Sequence, residues 1–173
     1  MLSVQGVGSG FDIASATFGG TLYFVTGGKV IEPLSVKNLS SVIGYSGVKA
    51  DTTSVVNNLK LKIKNSELRY TKIFKSITKI VEKAKISLVN SDWKITGKLM
   101  NQNHKLLQEL GVSTKKLDKM CQAAVSSGAY GAKLSGAGGG DCMIALVSED
   151  KIKKVEAAIV KVGGEIIKVK NNI

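Results

Sequence analysis

The stretch Lys133–Val147, KLSGAGGGDCMIALV, sets Gly136, Gly138, Gly139 and Gly140 directly against a purely apolar run, and its reading decides the fold. A turn needs one or two glycines, so four in five positions imply a backbone that must approach something closely. Two things could be approached. Successive glycines let backbone N–H groups converge into a concave anion site that side chains would block. They also permit a crowded turn packed against another segment. The following CMIALV reads as a continuous apolar strand, central in a sheet and covered on both faces. The preceding AKLSG reads as its neighbour. The loop thus lies between strands, and no GxxxxGK[ST] occurs, which excludes a Walker-type site.

Working outward toward the C-terminus, SEDKIKKVEAAIVKVGG is a capped amphipathic helix that ends at Gly163-Gly164, and EIIKVK is a final strand. Toward the N-terminus, Ser113 or Thr114 caps a helix whose Leu117, Met120, Cys121, Ala124 and Val125 recur at helical spacing. Leu99, Met100, Leu106, Leu107 and Leu110 mark the helix before it, stopped by Gly111. From Glu67 to Val89, the residues Ile73, Phe74, Ile77, Ile80, Val81, Ala84 and Leu88 predict a long helix with one buried face. A shorter helix spans Asp51 to Lys62, with Asp51 or Thr52 near its start, and SSVIGY precedes it as a strand. Before that, TLYFV and KVIEPL form a hairpin across Thr26-Gly27-Gly28-Lys29, with the single proline, Pro33, near the exit of its second strand. The order strand, helices, strand, strand, helix, strand predicts a ferredoxin-like α+β fold: an antiparallel sheet with helices on one face.

Bulk properties narrow the function. The 173 residues hold 43% apolar residues, enough for a real core, and no apolar run nears the roughly 20 residues that cross a bilayer. No secretory signal is visible in MLSVQGVGSG. Cys121 and Cys142 read as free thiols in a reducing, cytoplasmic setting. The net charge of +12 is spread over helical lysines rather than gathered beside aromatics, so a solvated surface is favoured over nucleic acid. The only histidine, His104, reads as structural or surface, with no partner set for a metal.

The wording of several segments goes further. KLSGAGGGDCMIAL resembles the third motif of the GHMP kinase superfamily. GSGFDIASATFGGTLYF is similar to the segment in which that family places an aspartate after Ser-Gly and before a Gly-Gly hairpin. LMNQNHKLLQELGVSTKKLDKMCQAA and IGYSGVKADTTSVV resemble the mevalonate kinase branch, the latter its archaeal type. The resemblance covers essentially the whole chain. It implies the end of an N-terminal, ribosomal S5-like domain over residues 1–38 and the ferredoxin-like C-terminal domain over 39–173. It also implies ATP- and Mg²⁺-dependent phosphorylation of a small-molecule hydroxyl, with mevalonate as substrate. Asp12 would then be the catalytic base, although the residues alone allow it to be a helix cap before IASATF. Ser9 and Gly10 would shape the substrate pocket. Lys49, otherwise a solvated lysine, would meet a substrate carboxylate. Ser135 and Gly136 would reach substrate, and Gly138, Gly139 and Gly140 the phosphates.

Two features depart from the mevalonate kinase pattern. The leading Gly and the Phe of GSGFDIASATFG look more like phosphomevalonate kinases, and Asp141 stands where mevalonate kinases commonly have Gly. Phosphomevalonate is therefore the second substrate to consider. Neither the family's N-terminal lysine motif nor its Gly-Leu-Gly-Ser-Ser phosphate loop occurs in this sequence. The expectation is a chain that works with a missing N-terminal half, and a homodimer is possible. A ligand-binding remnant without catalysis and a basic nucleic-acid module are the readings from other classes.

Overall fold

A computed structural model describes residues 10–37 and 39–168. Helix α1 spans Phe11–Phe18 and is followed by a hairpin of β1 (Thr21–Val25) and β2 (Val30–Leu34). Then come β3 (Ser41–Tyr45), α2 (Thr52–Asn65), α3 (Glu67–Val89), α4 (Trp93–Glu109) and α5 (Lys115–Ser126). Strands β4 (Gly131–Ser135) and β5 (Cys142–Leu146), helix α6 (Ile152–Lys161) and strand β6 (Glu165–Ile167) complete the described chain. Among the described residues, no helix is long and apolar enough to cross a membrane.

Local chemistry sets the helix starts. The carboxylate of Asp51 accepts from the Ser54 N–H, and Asp92 does the same for Ile95. Thr114 Oγ1 accepts from the Leu117 N–H, so Thr114 rather than Ser113 caps α5. The first of these helices runs to Asn65, past the expected Lys62.

The last four strands form one antiparallel sheet in the order β4-β5-β3-β6, which is the ferredoxin-like arrangement. The hairpin is a separate two-stranded sheet. Register explains where the core sits. Val42, Ala145 and Ala132 stand side by side across β3, β5 and β4, as do Gly44, Met143 and Leu134. Against this face pack Leu117, Met120 and Ala124 of α5 and Val155 and Ile159 of α6, all fully buried. Full burial of each large apolar side chain here contributes about 1.5–3 kcal/mol. A side chain at Gly44 would begin 3.0 Å from both Ile159 and Met120, so a larger residue there would have to push the tips of these side chains aside.

Two expectations need correction. Strand β5 is central, but it is not covered on both faces: Cys142 and Ile144 remain half-buried beside Tyr45, Ile43 and Lys133. The alternation buries one face only, and the opposite face is partly open. Nor do the helices share one face. Helix α4 lies along the free edge of β4, where the N–H of Ala132 donates to Asn101 Oδ1 at 2.9 Å and that of Leu134 to His104 Nδ1 at 3.3 Å. The close crossing occurs where the Gly97 backbone meets Gly131.

Helix α3 has the expected bounds, but its apolar stripe is only partly covered. Tyr70 and Ile73 join the core, whereas Phe74 and Val81 are 40% and 41% exposed. Helix α3 packs mainly on α4, with a smaller contact to α2. Its other flank meets the hairpin through polar groups. Tyr23 donates its hydroxyl to Glu82 Oε1 at 2.5 Å, and Lys85 Nζ pairs with Glu32 Oε2 at 2.6 Å. The same ammonium lies 4.5 Å from the Tyr23 ring centroid.

Candidate functional site

The loop between β4 and β5 is where the candidate residues converge. Gly136, Gly138 and Gly139 have φ near +80°, Gly140 has φ +155°, and Asp141 follows at +56°. Such a run of left-handed positions requires glycine almost throughout. Close approach adds to the requirement. A side chain on Gly140 would begin 2.5 Å from the Val48 carbonyl oxygen, and one on Gly139 would begin 2.5 Å from Val55 of α2. The loop is thus the crowded turn that its glycine content allowed. The N–H of Gly139 donates to the Val112 carbonyl at 2.8 Å, tying the loop to the α4–α5 connection. Among the described residues, the N–H groups of Gly136, Ala137, Gly138 and Gly140 have no protein acceptor. The loop thus packs tightly, and Gly138 and Gly140 are buried within it.

Lys49 arrives beside this loop. It sits on the exposed Gly47–Lys49 turn between β3 and α2, and the flanking Val48 and Ala50 are both hydrogen-bonded to Asp141. Ser135, at the end of β4, pairs with Cys142 and is exposed, as is Gly136. A cleft of about 480 Å³ opens on the other side of the loop, lined by Val55, Leu59, Lys62, Val112, Ser113 and Gly139. It falls within the size range of small-molecule sites.

Asp12 belongs to α1, ahead of the hairpin. It is exposed in the first turn of α1, which contacts β1 and the hairpin turn. Gly10, with φ +83°, occupies the N-cap position, so Asp12 is not the helix cap. Its negative charge still suits a helix N-terminus. Gly10 lies beneath the Phe24 ring of β1 at ordinary contact distance. Ser9 lies outside the described residues.

Three residues of this region escaped the motif reading. Asp141 and Val112 anchor the loop from positions distant in sequence, a relation no local spacing reveals. Lys133 turns its Nζ back to the Leu134 carbonyl at 2.7 Å, and burial holds its pKa below the ordinary lysine value. His104 is structural, as expected. Its ring accepts from Leu134, its Nε2 lies 3.1 Å from Asp118 Oδ1, and burial lowers its pKa despite that carboxylate. Cys121, pushed up to about 12 by burial, and the half-buried Cys142 are free thiols without reactive character.

Free N–H groups at the glycine loop fit phosphate oxygens. No group of three His, Cys, Asp or Glu gathers among the described residues, so they build no metal cage by themselves.

Comparison with known proteins agrees with this geometry. Residues 84–165 match the family described as GHMP kinases C terminal. The mevalonate kinase of Thermococcus gammatolerans is 43% identical over 168 residues, covering 94% of this chain and 49% of that protein. The crystal structure of the Methanococcus jannaschii mevalonate kinase aligns with a TM-score of 0.79 at 34% identity, over 96% of this chain and 51% of that one. The L. major mevalonate kinase, solved in complex with R-mevalonate, aligns with a TM-score of 0.78 at 33% identity, over 90% and 48%. The chain spans about half the length of the relatives it matches. With the third motif, the sheet order and these relatives in agreement, the chain belongs to the GHMP kinase superfamily, on its mevalonate kinase side and in its C-terminal part.

Proposed function

We propose that this chain supplies the C-terminal half of an ATP-dependent kinase that phosphorylates the hydroxyl of mevalonate, acting in the cytoplasm in the synthesis of isoprenoid precursors. The observation that carries this reading is the 43% identity to an archaeal mevalonate kinase across 94% of the chain. Residues 1–38 belong, on this reading, to the end of the N-terminal domain, and residues 39–173 to the C-terminal domain. The separate two-stranded sheet supports that division, since a lone hairpin is marginal in water and needs further partners. So does the apolar surface it leaves open: Phe11, Ile13, Phe18 and Val30 are 42–58% exposed. We assign the other half of the kinase to that surface.

In the proposed mechanism ATP supplies the phosphoryl group. Asp12 would accept the proton of the substrate hydroxyl as the hydroxyl oxygen bonds to the γ-phosphorus and the bond from that phosphorus to ADP breaks, or would at least orient that hydroxyl. Lys49 pairs with the substrate carboxylate, while Ser9, Gly10, Ser135 and Gly136 shape the pocket. The free N–H groups around Gly138 and Gly140 hold phosphate oxygens in place. Such positioning and charge neutralisation is most of what phosphoryl transfer requires. No step here is routed through a metal ion.

The test is ADP release with mevalonate against phosphomevalonate, using this chain together with a half that carries the Gly-Leu-Gly-Ser-Ser loop. Turnover of mevalonate is expected, with Asp12→Asn lowering kcat by roughly 10²–10⁴-fold. Turnover of phosphomevalonate alone would move the substrate assignment. Turnover of neither, with no binding of either, would overturn the reading in favour of a non-catalytic remnant.

A further inference from the structure

The described residues contain only two non-glycine positions with positive φ, Ser91 and Asp141. Asp141 also makes the longest-range polar contacts of the glycine loop. Its carbonyl accepts from the Ser46 N–H at 2.8 Å, and its N–H donates to the Val48 carbonyl at 2.8 Å. Its side chain accepts from the Ala50 N–H at 3.1 Å, across 91 positions of sequence. These three bonds bracket Lys49 from both sides. Ser46, buried beneath the turn, adds a local link between its Oγ and Val48. Everything else about the turn argues for looseness, because Gly47, Val48 and Lys49 are exposed and Gly47 has φ +78°.

Backbone conformation and side-chain bonding oppose each other at this position. At φ +56° glycine would be the least strained residue, and aspartate is among the few others that tolerate it. Glycine, however, would leave the Ala50 N–H without its acceptor. Residue 141 therefore trades backbone ease for one side-chain oxygen, and that oxygen is spent on the segment carrying Lys49. Gly140 makes the contact feasible, since its missing side chain lets the Val48 carbonyl come close.

We propose that Asp141 is a positioning residue that fixes Lys49 beside the glycine loop, and thereby sets the affinity for the anionic group of the substrate. This rests on the kinase reading above, in which Lys49 meets the substrate carboxylate. Asp141 acts through Lys49 and does not touch the substrate.

The experiment compares Asp141→Gly, Asp141→Asn and Lys49→Ala in the assembled kinase, and measures amide hydrogen exchange at Ala50 in the same proteins. Losing one hydrogen bond of this kind should raise KM for the acid substrate about fivefold in Asp141→Gly, with kcat nearly unchanged. Asparagine keeps both the left-handed tolerance and an acceptor oxygen, so Asp141→Asn should bring KM back toward the wild-type value. Once Lys49 is alanine, adding Asp141→Gly should raise KM no further. Ala50 exchange should quicken in Asp141→Gly and return toward wild type in Asp141→Asn. Multiplying effects of the two mutations, a fall in kcat at constant KM, or unchanged Ala50 exchange would each overturn the proposal. A wild-type protein that turns over neither substrate would defeat the kinase reading instead, and Ala50 exchange would still decide whether Asp141 holds the turn.

Discussion

Lys49 and Asp12, the two charged residues assigned to substrate, are held in opposite ways. Lys49 sits between Val48 and Ala50, both bonded to Asp141 of the glycine loop, and Gly139 of that loop is tied to Val112 and packed on Val55. Asp12 stands on an eight-residue helix whose hairpin reaches α3 through Tyr23–Glu82 and Glu32–Lys85, in which both glutamates are exposed and Tyr23 and Lys85 are half-buried. The first arrangement is backbone-anchored and continuous with the core. The second is an attachment of polar tips, and its apolar side faces outward. On the proposed reading, the Lys49 half of the site is held by the core of this chain, whereas the Asp12 half adjoins the exposed Phe11 and Phe18.

The largest test of this contrast compares side chains from the two regions. Met143 is fully buried between the sheet and α5, so Met143→Ala should lower the unfolding free energy by about 2–5 kcal/mol in denaturant titration. Phe18 is 58% exposed, so Phe18→Ala should change it by only about 0.5 kcal/mol or less. Equal effects would mean that the hairpin region is as integral as the core.

A second, smaller effect sharpens the contrast through pH. Burial depresses the His104 pKa below its ordinary 6.5, opposed by Asp118 and assisted by Lys133. Above that value both folded and unfolded states are neutral, and the full stability is present. As pH falls below 6.5 the unfolded chain takes up a proton that the buried ring resists, so stability drops until the folded pKa is reached. Denaturation midpoints should therefore decrease over that window, and His104→Asn, which keeps an acceptor near the Leu134 N–H, should flatten this part of the slope. An unchanged slope would remove His104 from the account. Smallest of all is the hairpin attachment. Tyr23→Phe with Lys85→Met should barely move the denaturation midpoint, and less at high salt.

Elements governed by local chemistry were legible from residues alone. The Glu67–Val89 helix, a cap at Ser113 or Thr114 and the succession of strands and helices follow from spacing, hydroxyl placement and glycine punctuation. What spacing could not say is which neighbour covers an apolar stripe, and so the exposure of Phe74 and Val81 went unforeseen. The glycine loop was legible as a place of close approach but not as to its partners, because Val48, Val112 and Asp141 meet only through tertiary folding. Asp12 was legible as a candidate but not as a neighbour of anything, since its helix capping is done by Gly10.

The edge of β4 has one more consequence. An edge strand with bare N–H groups invites another chain to add to the sheet, and proteins commonly blunt such edges. Here Asn101 and His104 take up the donors of Ala132 and Leu134, so α4 serves as a stopper against intermolecular β-pairing. The strand that leads into the glycine loop is thereby barred from templating aggregates while the hairpin surface is still uncovered.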